Sequence, residues 1–236
     1  MEQNLSKKTR TESDLIGSRE VPESALYGVQ TLRGIENFRI SKFHLNEYPL
    51  FIQALAITKM GAAVANRELD LLTEEQADAI LKACKEILEG KHHDQFPVDM
   101  IQGGAGTTTN MNANEVIANR ALELMGHQRG EYQYCSPNDH VNRSQSTNDA
   151  YPTAIHIGLY YTHLKLVKHF EVLIESFRKK ATEFAHVIKM GRTQLEDAVP
   201  MTLGQTFNGF ASILRHEVKN LDFAAQDFLT VNMGAT

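Results

Sequence analysis

The segment that starts at Pro152 constrains the fold of this 236-residue chain more than any other. Up to about residue 186 it contains no further proline, and only Gly158 interrupts it. At a rise of 1.5 Å per residue, its roughly 35 residues predict a helix about 50 Å long. Apolar residues cover more than one side of this helix, as in a helix with several neighbours. We therefore expect it to lie in a helical bundle shared between subunits.

Further helical patterns divide the rest of the chain. An alanine-rich run at 51–66 favours helix, and a capping box at 73–76 opens a second helix with one apolar face. Two more helices are expected at about 113–125 and 202–231. Residues 14–41 mix turn residues with short β-prone runs, so we expect a loop-rich segment with one small hairpin there. The fold class is predicted to be mainly α.

Composition and charge exclude several functional classes. Lys plus Arg total 24 against 29 for Asp plus Glu, so the net charge is −5 and no basic patch for nucleic acid or an anionic membrane is expected. No apolar run approaches the length of about 20 residues that a membrane-spanning helix needs. Residues 1–14 lack the apolar core of a signal peptide, and Cys84 and Cys135 lack metal-site spacing. We expect a cytoplasmic protein with reduced thiols.

Three polar loops carry the candidate chemistry, at residues 102–112, 136–149 and 191–200. Each combines residues with hydroxyl or amide side chains, and an apolar helix lies next to it in the sequence. Helix capping is one interpretation of each loop, because Ser, Thr and Asn are common capping residues. Three such loops in one chain favour a second interpretation, in which they bind a small polyanion such as a dicarboxylate.

Nucleotide and metal sites fit these patterns less well. The first loop has Thr107, Thr108 and Thr109 where a phosphate-binding P-loop requires Gly-Lys-Ser/Thr. His92 and His93 are adjacent, so their side chains diverge on any regular element and no metal site is expected there. His140 is either a buried structural histidine or a residue that orients a neighbour, and both interpretations stay open.

The loops resemble those of the fumarase/aspartase superfamily of homotetrameric lyases. Six matching motifs lie in the family's order, at residues 17–22, 27–33, 103–107, 138–142, 145–149 and 191–194. Each motif is weakly specific, whereas the six together are highly specific. The resemblance implies a fumarase/aspartase-like fold, with an N-terminal domain at 1–146 that has a minor β element. Residues 147–236 would be the first long helices of a central bundle that is truncated here.

Three differences favour the aspartase branch of the superfamily over class II fumarases. Gln194 and Ser136 stand where fumarases usually have His, and the first loop reads GGAGTTTN rather than TGSGTQTN. The resemblance therefore implies reversible β-elimination of ammonia from L-aspartate, giving fumarate through an aci-carboxylate intermediate. It implies no organic cofactor and leaves activation by a divalent metal open. The alternatives are a class II fumarate hydratase and a non-catalytic helical oligomerisation fragment.

The resemblance also implies six substrate-binding residues: Thr107, Ser146, Thr147, Asn148, Thr193 and Gln194. The three hydroxyl residues of the first two loops would donate to the β-carboxylate as it gains charge. Asn148 and Gln194 would hold the departing amino group, and Thr193 would hold the α-carboxylate.

Family members are much longer, and their catalytic base is a Ser on a mobile loop that reads like GSSIMPxKxN. This sequence contains no such motif, so no catalytic residue is assigned to it, and we expect an N-terminal half that is inactive by itself. The intact protein is expected to be a homotetramer that binds L-aspartate, fumarate and ammonia. Each of its active sites would be built from three subunits. Nucleic acid and membrane are not expected as partners.

Overall fold

A computed structural model of the chain describes residues 8–234. In chain order, its helices and strands are β1 (Thr9–Asp14), β2 (Gly17–Pro22), α1 (Val29–Asn37), α2 (Pro49–Glu68), α3 (Glu74–Leu88), α4 (Thr107–Leu124), α5 (Thr147–Glu183), β3 (Ile188–Thr193), β4 (Glu196–Thr202) and α6 (Leu203–Ala225). Short 3₁₀ turns and one π-helical turn, Pro137–Val141, connect them. The described part is mainly α, as predicted, and its strands form two antiparallel hairpins.

The described residues form two compact units. The first comprises residues 8–158 with 231–234, and the second comprises residues 159–230. Helix α5 runs through the boundary between them. The domain boundary predicted at 146/147 coincides with the start of α5, and the division into 1–146 and 147–236 stays a prediction.

The core of the first unit is formed by α2, α3 and α4, which pack on one another. Its fully buried side chains include Ile52, Leu55, Ile80, Ile117 and Leu122. The predicted capping box is present at the start of α3, where Thr73 Oγ1 accepts from the Gln76 N–H and the Gln76 side chain accepts from the Thr73 N–H, both at 3.2 Å. These elements follow the local patterns from which they were predicted.

Helix α1 corrects the interpretation of residues 14–41. The hairpin is present as β1–β2, but the β-prone run at 27–31 begins a helix instead of a strand or loop. Its first N–H groups bind carboxylates that are distant in sequence. Glu115 accepts from Gly28, Gln30 and Thr31 at 2.8–3.0 Å, and Glu12 accepts from Val29 at 3.0 Å. Such groups need partners at any buried helix start, and here tertiary contacts supply them.

Helix α4 begins six residues before the position that the apolar pattern predicted. Residues 107–112 are helical and not part of a loop. The apolar pattern does not extend over this turn, because the buried positions are occupied by polar residues: Thr109, Asn110 and Asn112. Gln102 supports the first turn by accepting from the Thr109 N–H at 2.8 Å.

The second unit contains the remainder of α5, the β3–β4 hairpin and α6. The loop expected at 191–200 is this hairpin, which is a correction of the sequence-based interpretation. Thr202 caps α6 through a capping box with Gln205. Phenylalanine rings of α5 and α6 pack with centroids 5.6–6.3 Å apart: Phe177, Phe184, Phe207 and Phe210. Among residues 8–234, no helix combines the length and apolar character of a membrane span.

Candidate functional site

The start of α5 holds three of the predicted site residues in one turn. Ser146 precedes the helix, and its Oγ accepts from the Asn148 N–H at 3.2 Å. Asp149 Oδ1 accepts from the Ser146 N–H at 2.8 Å, so residues 146–149 form a reciprocal cap. Helix capping, the alternative interpretation, is therefore present in this loop. Because N–H groups and the helix dipole make a helix start electropositive, this turn also suits an anion.

The glycine-rich loop brings the start of α4 next to the start of α5. Gly106 precedes α4 with φ +90°, and a Cβ at this position would overlap the Tyr151 ring in the second turn of α5. Only glycine fits this close contact. Thr107, the first residue of α4, is exposed, and its hydroxyl donates to the Gly104 carbonyl at 2.6 Å. Two helix N-termini and their dipoles therefore lie side by side.

Asn110 joins the two helix starts through its side chain. Its Nδ2 lies 3.1 Å from Thr147 Oγ1 and 3.1 Å from Asn142 Oδ1. Asn110 is buried, whereas Thr147 is partly exposed. The Thr147 hydroxyl thus accepts a hydrogen bond from a buried side chain, while the residue as a whole is partly exposed.

A buried lysine anchors the loop before α5. Lys59 of α2 has no exposed surface, and its Nζ donates to Asn142 Oδ1 and Gln145 Oε1, both at 2.9 Å. Burial lowers the pKa of Lys59 to about 7, while Cys84 and Asp149 act in the opposite direction. The sequence analysis did not single out Lys59. A signal was present, since Lys59 lies four residues from both Leu55 and Ala63 on the buried stripe of a helix.

The third loop presents its two predicted residues at the tip of the β3–β4 hairpin. Thr193 ends β3, and Gln194 and Leu195 form the two-residue turn, with φ values of 49° and 68°. Positive φ at both positions is the geometry of a type I′ turn, which residues other than Gly, Asn and Asp adopt at a cost. Thr193 and Gln194 are exposed and belong to the second unit. The other four predicted residues belong to the first.

Glu115 is a buried carboxylate that the sequence analysis did not select. Burial raises its pKa, and hydrogen bonds from the start of α1 oppose this rise. Because Glu115 accepts from three backbone N–H groups there, its role is to hold α1. A signal was present in the sequence, because Glu115 lies three positions before Ala118 and seven before Leu122, on the buried side of the helix.

The histidines noted in the sequence have partners within the protein. His140 Nδ1 accepts from the Ser136 N–H at 2.7 Å, and burial lowers the pKa of this ring, which favours the structural interpretation. His92 Nε2 lies 2.9 Å from a Glu86 oxygen, and His93 Nε2 lies 2.9 Å from the Ile87 carbonyl oxygen. Within residues 8–234, no group of three or more His, Cys, Asp or Glu side chains is arranged to hold a metal ion.

Comparisons with known proteins confirm the resemblance seen in the sequence. A family model described as a lyase matches residues 17–236. The chain is 56% identical to aspartate ammonia-lyase of Escherichia coli (strain K12), over 98% of this chain and 49% of the relative. It thus spans about half the length of the curated relatives it matches.

Solved structures show the same fold. A fumarate lyase:delta crystallin from Brucella melitensis superposes with a TM-score of 0.94 at 51% identity, covering 97% of this chain and 53% of the other. A class II fumarase from Schistosoma mansoni superposes with a TM-score of 0.88 at 36% identity, covering 97% and 48%.

Proposed function

The chain belongs to the lyase family, and from this premise we propose that it is the part of an aspartate ammonia-lyase that carries substrate-binding loops. The reaction is the reversible β-elimination of ammonia from L-aspartate to give fumarate. The observation that carries the proposal is the 56% identity to the Escherichia coli aspartate ammonia-lyase across 98% of this chain. The likeness to the class II fumarase is lower, at 36% identity, so fumarate hydration is the less favoured alternative.

The geometry of the first unit supports binding of a dicarboxylate. Removal of the weakly acidic C3 proton leaves a carbanion that delocalises into the β-carboxylate, which then carries two negative charges. Preformed donors are the main means of stabilising such a charge. Ser146 and Thr147 at the start of α5 provide hydroxyl groups beside two helix dipoles. Thr107 at the start of α4 is proposed to join them, and its hydroxyl would have to release the Gly104 carbonyl in order to donate to the substrate.

Amide side chains are proposed to hold the amino group as it leaves. Asn148 in the first turn of α5 and Gln194 at the hairpin tip are both exposed. An amide oxygen accepts a hydrogen bond from an ammonium group and does not itself take up a proton near neutral pH. Thr193, next to Gln194, is proposed to bind the α-carboxylate.

The intact protein is proposed to be a cytoplasmic homotetramer that needs no organic cofactor, with each site built from three subunits. Its catalytic base is proposed to be a serine supplied by a loop whose motif is absent from this sequence. Large apolar side chains on α5 and α6 support the assembly, because they are exposed in the second unit: Val172, Phe210, Ile213 and Phe223. Apolar surface of this kind usually marks an interaction site.

A substrate comparison tests the proposal. The full-length protein that contains this chain is purified and assayed for ammonia release from L-aspartate and, in parallel, for fumarate formation from L-malate. Turnover of L-aspartate with little activity on L-malate is the expected result. Preference for L-malate would favour the fumarase alternative, and inactivity with both substrates would favour the non-catalytic helical protein.

A further inference from the structure

We propose that Asn110 is a positioning residue that turns the hydroxyl proton of Thr147 toward the substrate. The inference deepens the proposed function and rests on it for the identity of the substrate. It starts from a chain of hydrogen bonds that runs from Lys59 through Asn142 and Asn110 to Thr147. The direction of this chain decides whether the hydroxyl presents a proton or a lone pair to solvent.

The amide of Asn142 is oriented by two partners of fixed polarity. Lys59 Nζ donates to its Oδ1 at 2.9 Å, and an amine has N–H groups to donate in either protonation state. On the other side, Asn142 Nδ2 lies 3.1 Å from the Gln145 carbonyl oxygen, which can only accept. Asn142 therefore faces Asn110 with an acceptor, and the NH₂ group of Asn110 must point toward it.

Gln145 keeps the lysine in place. Its Oε1 accepts from Lys59 Nζ at 2.9 Å, while its Nε2 donates to the carbonyl oxygens of Val141 and Arg143 at 2.9 and 3.1 Å. The Gln145 amide is thus oriented by backbone groups, in the same way as that of Asn142. Backbone carbonyl oxygens fix the orientation of both amides. The direction in which the hydrogen bonds run from Lys59 to Thr147 therefore does not depend on the charge of Lys59.

The consequence reaches the Thr147 hydroxyl. The same NH₂ group of Asn110 lies 3.1 Å from Thr147 Oγ1, so the hydroxyl oxygen accepts there. A hydroxyl has one proton, and with an oxygen lone pair engaged by Asn110 that proton is free to point to the exposed side. A carboxylate ligand needs a donor, and it would be repelled by a hydroxyl whose proton pointed inward.

The buried oxygen of Asn110 agrees with this assignment. Asn110 Oδ1 is inaccessible to solvent and has no hydrogen-bond partner among the described residues. A buried polar atom without a partner is uncommon and calls for an explanation. Here both contacts of the side chain use its NH₂ group, so the amide is held in the orientation that makes Thr147 a donor.

The variant Asn110→Asp tests the inference because it replaces the donating NH₂ group by an acceptor of nearly the same size. In the full-length protein, we expect kcat for L-aspartate to fall about 100- to 1000-fold, as for loss of an oxyanion donor. KM should rise by a smaller factor, because the donor also contacts the carboxylate in the ground state but acts most strongly on charge that develops in the transition state. The matched control is Asn114→Asp, on the same helix and equally buried, whose Nδ2 has Met111 Sδ, at 3.6 Å, as its one hydrogen-bond partner among residues 8–234. Its kcat per folded protein should fall by less than about tenfold.

A double-mutant cycle separates positioning from a structural role. Asn110→Asp should lower kcat in a Thr147→Ser background, which keeps a hydroxyl, and should have little further effect in a Thr147→Val background. Independent, multiplicative losses in Thr147→Val would overturn the inference. An unchanged kcat in the folded Asn110→Asp single variant would overturn it as well.

Failure of the proposed function gives a different result. A wild-type protein that releases no ammonia from L-aspartate overturns that function, and the inference is then measured with succinate, an unreactive dicarboxylate, by titration calorimetry. Weaker succinate binding in Asn110→Asp, with no further weakening when Thr147→Val is added, would support the orientation of the hydroxyl. Unchanged succinate binding would contradict it, and a wild type that binds no succinate would overturn both proposals.

Discussion

At the scale of single residues, the Thr147 hydroxyl is the group whose removal tests the proposed chemistry most directly. Thr147→Val keeps the shape of the side chain and removes its O–H. We expect kcat for L-aspartate to fall about 100- to 1000-fold, because one donor to the developing charge is lost. Steady-state kinetics of the full-length protein measure the effect, with Thr147→Ser as the control that retains the hydroxyl. A loss mainly in KM would contradict the aci-carboxylate role.

Gln194 gives a second residue-scale prediction. The superfamily alternates an imidazole and a neutral amide at this position, and only the imidazole takes up a proton near pH 7. We expect Gln194→His to retain measurable lyase activity and to add a titration to the pH dependence of turnover. The pH profiles of kcat for the two proteins give the answer. Superimposable profiles would show that the residue at position 194 does not influence the pH dependence of turnover.

Lys59 should be detected as a pH-dependent contribution to stability. Its pKa falls from 10.5 to about 7 on folding, so between these values the unfolded chain binds a proton that the native state does not. Lys59 therefore makes the free energy of unfolding increase as pH rises from about 7 to 10, by up to roughly 1.4 kcal/mol per pH unit.

Urea unfolding of the wild type and of Lys59→Met across this pH range measures the effect. The difference between their free energies of unfolding should change with pH. Other titrating groups are common to both proteins and cancel in that difference. Lys82→Met, on the exposed surface of α3, is the control and should leave the slope unchanged. Parallel stability curves for wild type and Lys59→Met would show that the lysine titrates normally.

At the scale of elements, an ion pair ties α3 to α4. Arg120 donates to both oxygens of Glu86 at 2.6 and 2.8 Å and to Glu123 at 2.7 Å. The hydrogen bonds from Arg120 lower the pKa of Glu86 to about 2, so the unfolded state takes up a proton first as pH falls. The stabilisation is complete above the ordinary pKa of 4.5 and is lost as pH falls toward 2.

Removing the charge of Glu86 should therefore cost stability only where the carboxylate is ionised. We expect Glu86→Gln to lower the free energy of unfolding by about 1–3 kcal/mol at pH 7, and the difference from wild type to shrink below roughly pH 5. Urea unfolding at a series of pH values measures it. Glu75→Gln, on the exposed side of α3, serves as the control, and a pH-independent difference would exclude the ion pair as its cause.

At the scale of the whole molecule, the exposed apolar side chains of the second unit need a partner. Val172, Ile213 and Phe223 are 68%, 61% and 81% exposed. We expect the 236-residue chain, purified by itself, to self-associate in light scattering and to release no ammonia from L-aspartate. Catalysis needs a base within reach of the C3 proton, and the predicted site residues offer hydroxyls and amides. A monodisperse monomer with robust turnover would contradict both parts.

The sequence by itself determined the mainly α fold, the long helix α5, the capped start of α3 and the family to which the chain belongs. Helical period and capping depend on residues within a few positions of one another, so they are visible in a linear pattern. The resemblance of the loop motifs to those of the family implied six substrate-binding residues, and these assignments stay predictions.

Only the tertiary structure decided where buried polar groups find their partners. Helix α1 starts at residue 29 because the Glu115 carboxylate, 87 positions after Gly28, accepts its N–H groups. Lys59 can be buried because the side-chain amide oxygens of residues 142 and 145 accept hydrogen bonds from its Nζ. The physical reason is common to both cases. Burying a polar group is favourable only when a partner replaces water, and that partner is set by the fold rather than by neighbouring residues in the chain.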